Sequence, residues 1–116
     1  MNRSARAQIS TLAKDEGLIA TVLRLCDNWG DHAFDVVDHW ESYLHGVGLA
    51  RRDDHSVLVY IENFGRPVGT YYVELEDAPT EDILPYTSSG RYDSVSFEDL
   101  SSLVGRHLGL AANAGN

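Results

Sequence analysis

Three side chains that could bind a metal ion or transfer a proton lie close together in the sequence: His32, Asp35 and His39. If residues 31–45 form a helix, spacings of three and four place all three side chains on one side of it. Imidazole and carboxylate groups are suitable ligands for zinc and related metals. The spacing does not match the HExxH motif, however, and residues seven apart on one helix do not readily converge on one ion. We therefore expect a pair between Asp35 and His39 on a solvated helix face, and neither a metal site nor a cofactor.

The other histidines do not form a recognisable catalytic group. His45 and His107 are each predicted near the C-terminal end of a helix, where imidazole interacts favourably with the helix dipole. His55 follows Asp53 and Asp54 in a stretch of turn composition, with no identified nucleophile. We assign no catalytic residue and expect a protein that is not an enzyme.

A long polar segment, residues 77–91, is the main candidate for a small-molecule site. Its last five residues, TSSGR, combine hydroxyl groups, a glycine and a cation, as anion-binding turns do. They lack the glycine spacing and the lysine of a phosphate-binding loop and do not lie between a strand and a helix. A plain loop is the expected structure, and a ligand site built from this segment and nearby histidines is the alternative.

Four residues of a predicted β-hairpin form the most informative surface pattern: Tyr60, Glu62, Tyr72 and Glu74. The runs VLVYIE and VGTYYVELE are separated by the turn-forming cluster NFGRP, which predicts two strands and a short loop. Alternation along the strands places the four side chains on one face. Tyrosines are enriched in interface cores and carboxylates select basic groups, so this face is a candidate partner-binding site. The alternative is that a helix or the 77–90 segment covers the face and the tyrosines belong to the core.

The opposite face of the hairpin is apolar and must be covered by helices. Its members alternate along the two strands: Val57, Val59, Ile61, Tyr71, Val73 and Leu75. Apolar spacing predicts a first helix over Ser4–Asp27 with a kink near Gly17, or two shorter helices in its place. It predicts a second helix from Asp31 to about His45, with Trp40 at the centre of its apolar face and Gly46 at its end.

A third helix is predicted between Ser96, as N-cap, and Gly109, as the left-handed residue that follows the last turn. Further strands are predicted over residues 47–51, at a sheet edge, and residues 92–96. We therefore expect an α+β fold in which an antiparallel sheet of three or four strands packs against an N-terminal helical pair and a C-terminal helix. Residues 1–110 form this single domain, and residues 111–116 form a disordered tail.

Net charge limits the classes of partner. The 116 residues include 18 acidic and 9 basic side chains, so the net charge is −9. The resulting field repels phosphate backbones and anionic lipid surfaces, which argues against nucleic acid and membrane as partners. The same field favours encounter with a basic protein.

The single cysteine and the N-terminal sequence indicate a compartment. Cys26 lies in an apolar helical run and is expected to be a buried hydrophobic residue, and no intramolecular disulfide can form. The basic N-terminus continues into polar residues, which argues against a secretory signal, and no apolar run approaches the roughly 18 residues of a membrane span. We expect a cytoplasmic protein.

These observations favour a small acidic, non-enzymatic protein-binding domain. One concrete form is an inhibitor or immunity-type protein directed at a basic toxin or nuclease. A small-molecule-binding domain or an enzyme that uses residues 77–91 and the histidines is the alternative, and a structural homo-oligomer, in its simplest form a homodimer, is the third hypothesis.

Overall fold

The computed structural model describes residues 3–77 and 87–111, which form three helices and five strands. In chain order these are α1 (Ala5–Ser10), α2 (Glu16–Trp29), β1 (Asp35–Val37), β2 (Gly46–Arg51), β3 (Asp54–Glu62), β4 (Thr70–Asp77), β5 (Thr87–Ser96) and α3 (Phe97–Leu108). The strands lie in the sheet in the same order, each antiparallel to its neighbours. The α+β class is confirmed, and the sheet has five strands rather than three or four.

The apolar face of the β3–β4 hairpin is confirmed as the main core. α3 packs directly on β3 and β4, and apolar side chains of all three helices form one cluster with those of the strands. The members from the helices include Ile9, Leu18, Val22, Leu25, Leu100 and Val104. Cys26 belongs to this cluster, and burial raises the pKa of its thiol to about 11. A thiol in that environment packs as a small hydrophobic residue, as expected.

The predicted helix from Asp31 to His45 is wrong. Its first part forms β1, and residues 38–45 form an irregular crossing segment that lies against the sheet face opposite the helices. The side chain of Gln8 accepts a hydrogen bond from the backbone N–H of Val36 (2.7 Å) and donates one to Asp35 (3.1 Å). Gln8 of α1 and the backbone of β2 supply hydrogen-bond partners to residues 35–37. These bonds replace the backbone hydrogen bonds that a helix would have formed.

Lys14 holds the crossing segment in place. Its ammonium group donates to the carbonyl oxygens of Trp40 (3.0 Å) and Tyr43 (2.7 Å) and lies 2.9 Å from the carboxylate of Asp38. The side chain is only 1% exposed. All three acceptors belong to the crossing segment, so one buried cation ties this segment to the connection between α1 and α2.

The N-terminal apolar stripe forms two helices, not one kinked helix. α1 ends at Ser10, and α2 begins after Asp15, whose carboxylate accepts a hydrogen bond from the N–H of Leu18. Gly17, the expected kink, therefore lies in the first turn of α2. Gly30, with φ of 112°, follows the last residue of α2 at the predicted stop.

The C-terminal prediction is confirmed at both ends of α3. The hydroxyl of Ser96 accepts a hydrogen bond from the N–H of Asp99 (3.1 Å), and Gly109 adopts the left-handed conformation after Leu108. The predicted strand 92–96 is part of β5, which begins at Thr87, so the expected loop residues 87–91 are strand.

Other expectations are corrected or lie outside the described residues. β2 is an interior strand between β1 and β3 rather than an edge strand. Most of the predicted 77–90 loop and nearly all of the predicted tail fall beyond the described residues. No helix in the described part of the chain is long and apolar enough to cross a membrane.

Replacing Lys14 with methionine keeps the aliphatic chain and removes the ammonium group. We expect the free energy of unfolding to fall by about 3 to 5 kcal/mol, as when one partner of a buried ion pair is lost, because Asp38 and two carbonyl groups lose their donor. The midpoint of urea denaturation, followed by circular dichroism, checks this. Arg51→Met is the matched control because the pair of Arg51 with Asp53 is exposed, and it should cost no more than about 1 kcal/mol. Equal small effects in both variants would show that Lys14 does not hold the segment.

Replacing Gly105 with alanine should destabilise the protein, although alanine favours an unhindered helix by about 1 kcal/mol. A Cβ atom at this position would collide with the Cζ2 and Cη2 ring atoms of Trp29. Overpacking of this kind typically costs about 1 to 3 kcal/mol, and the indole, which donates to Ser101 (3.1 Å), must move. Thermal unfolding and Trp fluorescence measure the effect. Ser102→Ala on the exposed side of α3 should leave both unchanged, and a higher melting temperature for Gly105→Ala would contradict the packing.

Candidate partner-binding face

The register of β3 and β4 brings the four predicted surface residues together. Tyr60 lies opposite Glu74, and Glu62 lies opposite Tyr72. Within each strand the tyrosine hydroxyl donates to the glutamate two residues further on, at 2.8 Å for Tyr60 to Glu62 and 3.1 Å for Tyr72 to Glu74. We call this side of the sheet, opposite the helices, the acidic face.

Tyr60 is part of a second, smaller core on the acidic face. It is 9% exposed and forms a cluster with Ala50 and Leu58, against which Trp40 and Tyr72 pack. The ring centroids of Trp40 and Tyr60 are 4.6 Å apart, and those of Tyr60 and Tyr72 are 6.5 Å apart in an edge-to-face arrangement. Burial, reinforced by the hydrogen bond to Glu62, raises the pKa of the Tyr60 hydroxyl. Tyr60 is therefore largely buried beneath the acidic face, where its ring packs against Trp40 and Tyr72.

The crossing segment covers one end of this face because β2 contains two glycines there. A Cβ atom at Gly46 would collide with the hydroxyl of Tyr60 and lie 2.9 Å from the ring of Tyr43. At Gly48 it would lie 2.8 Å from Val37. Gly46, which was predicted to end a helix, and Gly48 therefore leave room for aromatic rings. Trp40, expected in the main core, is half-buried on this side of the sheet.

Glu62 is oriented by the hydroxyl of Tyr60, from which it accepts a hydrogen bond at 2.8 Å, and the hydroxyl of Tyr43 lies near it. Burial, followed by this contact with Glu62, raises the pKa of Tyr43. The carboxylate is half-exposed, so it has a fixed orientation and an accessible side.

Tyr72 and Glu74 form the more open part of the acidic face. Both are half-buried, and Arg91 of β5 lies 3.6 Å from the carboxylate of Glu74. The guanidinium group of Arg66 lies 5.8 Å from the centroid of the Tyr72 ring. Burial, and secondarily the hydrogen bond to Glu74, raises the pKa of Tyr72.

Glu76, a further residue of this surface, and Phe64, an exposed residue of the adjoining loop, were missed. Glu76 follows Glu74 on the same face, and burial together with the charge of Glu74 raises its pKa. Its alternation with Tyr72 and Glu74 could have identified it from the sequence. Phe64, in the loop after β3, is 61% exposed and packs edge-to-face on His45. The position of Phe64 within the turn-forming cluster NFGRP could have identified it as an exposed aromatic residue.

His32, Asp35 and His39 do not lie on one face of a helix, because residues 31–45 do not form the predicted helix. Asp35 lies in β1 and pairs with His55 (2.7 Å) and Arg52 (3.3 Å). Desolvation tends to raise the pKa of this carboxyl, but its partners lower it overall. No group of three potential metal ligands occurs among the described residues.

The other histidines also have separate partners. His45 bonds to Asn63 (3.1 Å), and His107 bonds to the carbonyl oxygen of Glu76 (2.8 Å). His39 packs beside Trp40. His107 lies next to the start of β5, because Glu76 pairs with Ser88 of that strand, whereas His45 and His55 have partners elsewhere.

A groove of about 640 Å³ lies between the start of α2 and the β3–β4 loop. Its lining includes Asp15 and Arg24, with opposite charges, and Tyr71, whose hydroxyl bonds to Thr21 at 2.7 Å inside the protein. Asp15 has a lowered pKa, chiefly because it accepts a hydrogen bond from Asn63. Asp15, Thr21 and Tyr71 are occupied in structural hydrogen bonds and Arg24 lies over the ring of Phe97, so the groove presents no arranged nucleophile and base.

Replacing Tyr60 with phenylalanine should reduce the sensitivity of the fold to alkali. The pKa of Tyr60 is raised in the folded state above its ordinary value of 10.0, so its stabilising contribution is complete below about pH 10 and is lost as the pH rises through the folded-state pKa. Between about pH 8 and pH 11 the urea midpoint of wild type should fall more than that of Tyr60→Phe. At about pH 8 the variant should be less stable by about 1 kcal/mol, because the hydrogen bond to Glu62 is lost.

Tyr92→Phe is the control for this measurement, since the ring of Tyr92 is 38% exposed. It should show the same pH dependence as wild type. If Tyr60→Phe also matched wild type at both pH values, the hydroxyl of Tyr60 would not be the buried titrating group.

Comparison with known proteins identifies no relative. No protein-family model matches this chain, and neither a curated protein nor a solved structure is significantly similar to it.

Proposed function

We propose that this chain is a small acidic protein-binding domain without catalytic activity, and that its partner is a basic protein. One concrete form of this function is an inhibitor or immunity-type protein that binds a basic toxin or nuclease. The observation that carries the proposal is the acidic face, where Glu62, Glu74 and Glu76 lie beside Tyr72 in half-exposed positions.

Ion pairing elsewhere in the molecule supports a negative surface. Arg6 pairs with Asp27 and Asp31, and Arg51 pairs with Asp53. Similar pairs neutralise Lys14, Arg52 and Arg66. The protein's cations are thus largely offset at short range by neighbouring carboxylates, and the excess of acidic groups remains to attract a basic partner.

The acidic face itself is only partly neutralised. Among the described side chains, Glu74 has a basic partner in Arg91, whereas no salt bridge joins Glu62 or Glu76 to Lys or Arg. A guanidinium or ammonium group from a partner could supply the missing counter-charge. Because the hydroxyl of Tyr60 already orients Glu62, little ordering entropy would be lost when such a group binds.

Two aromatic residues supply apolar contact area around these carboxylates. Tyr72 lies between Glu62 and Glu74 on the acidic face, and Phe64 projects from the adjoining loop. Aromatic anchors surrounded by charge are the usual composition of a binding hot spot. The carboxylates would mainly raise the association rate constant by steering, and the aromatic rings would mainly lower the dissociation rate constant by burying contact area.

The proposal is tested with two variants that carry the same charge change on opposite sides of the sheet. Glu62→Gln with Glu74→Gln removes two charges from the acidic face while keeping acceptor oxygens for the tyrosines. Glu98→Gln with Asp99→Asn removes two charges from exposed positions of α3, on the helix side. Wild type and both variants serve as bait for proteins of the source organism, and association with the captured basic protein is then measured by biolayer interferometry at low and high salt.

We expect the acidic-face variant to associate about tenfold more slowly than wild type at low salt, with the α3 variant close to wild type. Added salt should reduce the difference. Tyr72→Ala should mainly raise the dissociation rate. Equal losses in the two charge variants would indicate a non-specific charge effect, and failure to capture any basic protein with wild type would contradict the proposed function.

A further inference from the structure

The outer edge of β5 has the features of a site for self-association. β5 is the last strand of the sheet, and in the described part of the chain no other strand pairs with its outer side. Residues 91–94 are all exposed, and the ring of Tyr92 is 38% exposed. Such an edge presents backbone N–H and C=O groups that can pair with another strand.

This edge carries one basic and one acidic side chain, Arg91 and Asp93, so the edge of one copy can be complementary in charge to the edge of a second copy. Arg91 contacts Glu74, and Asp93 contacts Arg66, whose guanidinium group lies over Tyr72. Glu74 lies on the acidic face and Arg66 reaches over Tyr72 of the same face, so Arg91 and Asp93 project on the same side of the sheet. Their side chains are 69% and 79% exposed, respectively, and both remain accessible to a second molecule.

Symmetry restricts how two such edges can pair. In an antiparallel pair, residues directly opposite each other point to the same face of the sheet. A two-fold axis perpendicular to the sheet relates the two strands only if one residue lies directly opposite the same residue of the other copy, and the axis passes between these two residues. With Tyr92 at the axis, Arg91 of each copy lies opposite Asp93 of the other. With Arg91 or Asp93 at the axis, that charge faces its own copy and the pairing is disfavoured. The sequence Arg91-Tyr92-Asp93 therefore selects one register.

We propose that β5 pairs antiparallel with β5 of a second copy of this chain, about a two-fold axis at Tyr92, with two Arg91–Asp93 ion pairs across the interface. The register with β4 is regular over residues 90–92 and shifts on either side, at Asp93 and Ser94 (φ of 69° at Ser94) and before Gly90, so a ladder on the outer edge is restricted to a short stretch. A short ladder gives a weak, concentration-dependent dimer, and the bulges oppose open-ended addition of strands.

The dimer has one consequence for the proposed function. Because the axis is perpendicular to the sheet, both acidic faces lie on the same side of one continuous sheet and could engage two sites of a partner. This consequence rests on the proposed function, whereas self-association does not. A measurement without any partner therefore tests the dimer alone.

The experiment uses sedimentation equilibrium of the full chain with charge-reversal variants. Arg91→Asp and Asp93→Arg each place like charges opposite each other twice, so each should weaken dimerisation by about tenfold relative to wild type. An equimolar mixture of the two variants should form a heterodimer, since an all-acidic edge then faces an all-basic edge. The double variant, with both residues exchanged, should dimerise as wild type does.

The turn after β2 supplies a control with the same spacing. Arg51 and Asp53 are also exposed and two residues apart, so Arg51→Asp and Asp53→Arg make the same charge changes away from β5. They should leave dimerisation unchanged. Circular dichroism verifies that every variant is folded. Monomeric wild type at up to about 1 mM, or the absence of association in the mixture, would overturn the proposal.

Discussion

The contact between Lys14 and the crossing segment, residues 38–45, determines which surfaces this protein presents. A buried ammonium group is costly unless its three donors are satisfied, and here all three acceptors come from one stretch of eight residues. The contact converts an amphipathic sequence into an irregular layer on the sheet. It thereby places the rings of Trp40 and Tyr43 over Tyr60 and Glu62.

The crossing segment determines which residues of the acidic face are exposed. Tyr60 is withdrawn into a small second core, while Tyr72, Glu62, Glu74 and Glu76 remain half-exposed around it. Tyr60 and Tyr72 donate to Glu62 and Glu74 of their own strands, and among the described side chains only Arg91 joins a glutamate of this face in a salt bridge. A surface of this kind has oriented carboxylates and a negative charge that is only partly neutralised, which are the two properties that the proposed recognition of a basic protein requires.

The two proposed interactions use different parts of one sheet. Recognition of a basic protein relies on the face of β3 and β4, and self-association relies on the outer edge of β5. Glu74 and Arg91 join the two regions, because they pair with each other and each also belongs to one proposed contact. The register shifts of β5 next to this pair limit how far the edge can continue into a second molecule.

What the sequence determined by itself is the local part of the structure. Alternation in VLVYIE and VGTYYVELE predicted the central hairpin and the grouping of Tyr60, Glu62, Tyr72 and Glu74, because side-chain direction in a strand depends only on parity. Ser96 and Gly109 predicted the ends of α3, since capping depends on residues within one turn. The count of 18 acidic against 9 basic groups set the charge whatever the fold.

Only the tertiary structure decided the fate of residues 31–45 and, with it, the burial of Tyr60. Their apolar spacing matches a helix, but Gln8 and Lys14 provide hydrogen-bond partners that are distant in sequence, and the glycines of β2 leave space for Trp40 and Tyr43. Helical propensity is worth a few tenths of a kcal/mol per residue, whereas a buried Lys14 ammonium group left without its partners would cost about 3 to 5 kcal/mol. Local periodicity was therefore outweighed by contacts that form only when α1, the crossing segment and the sheet come together.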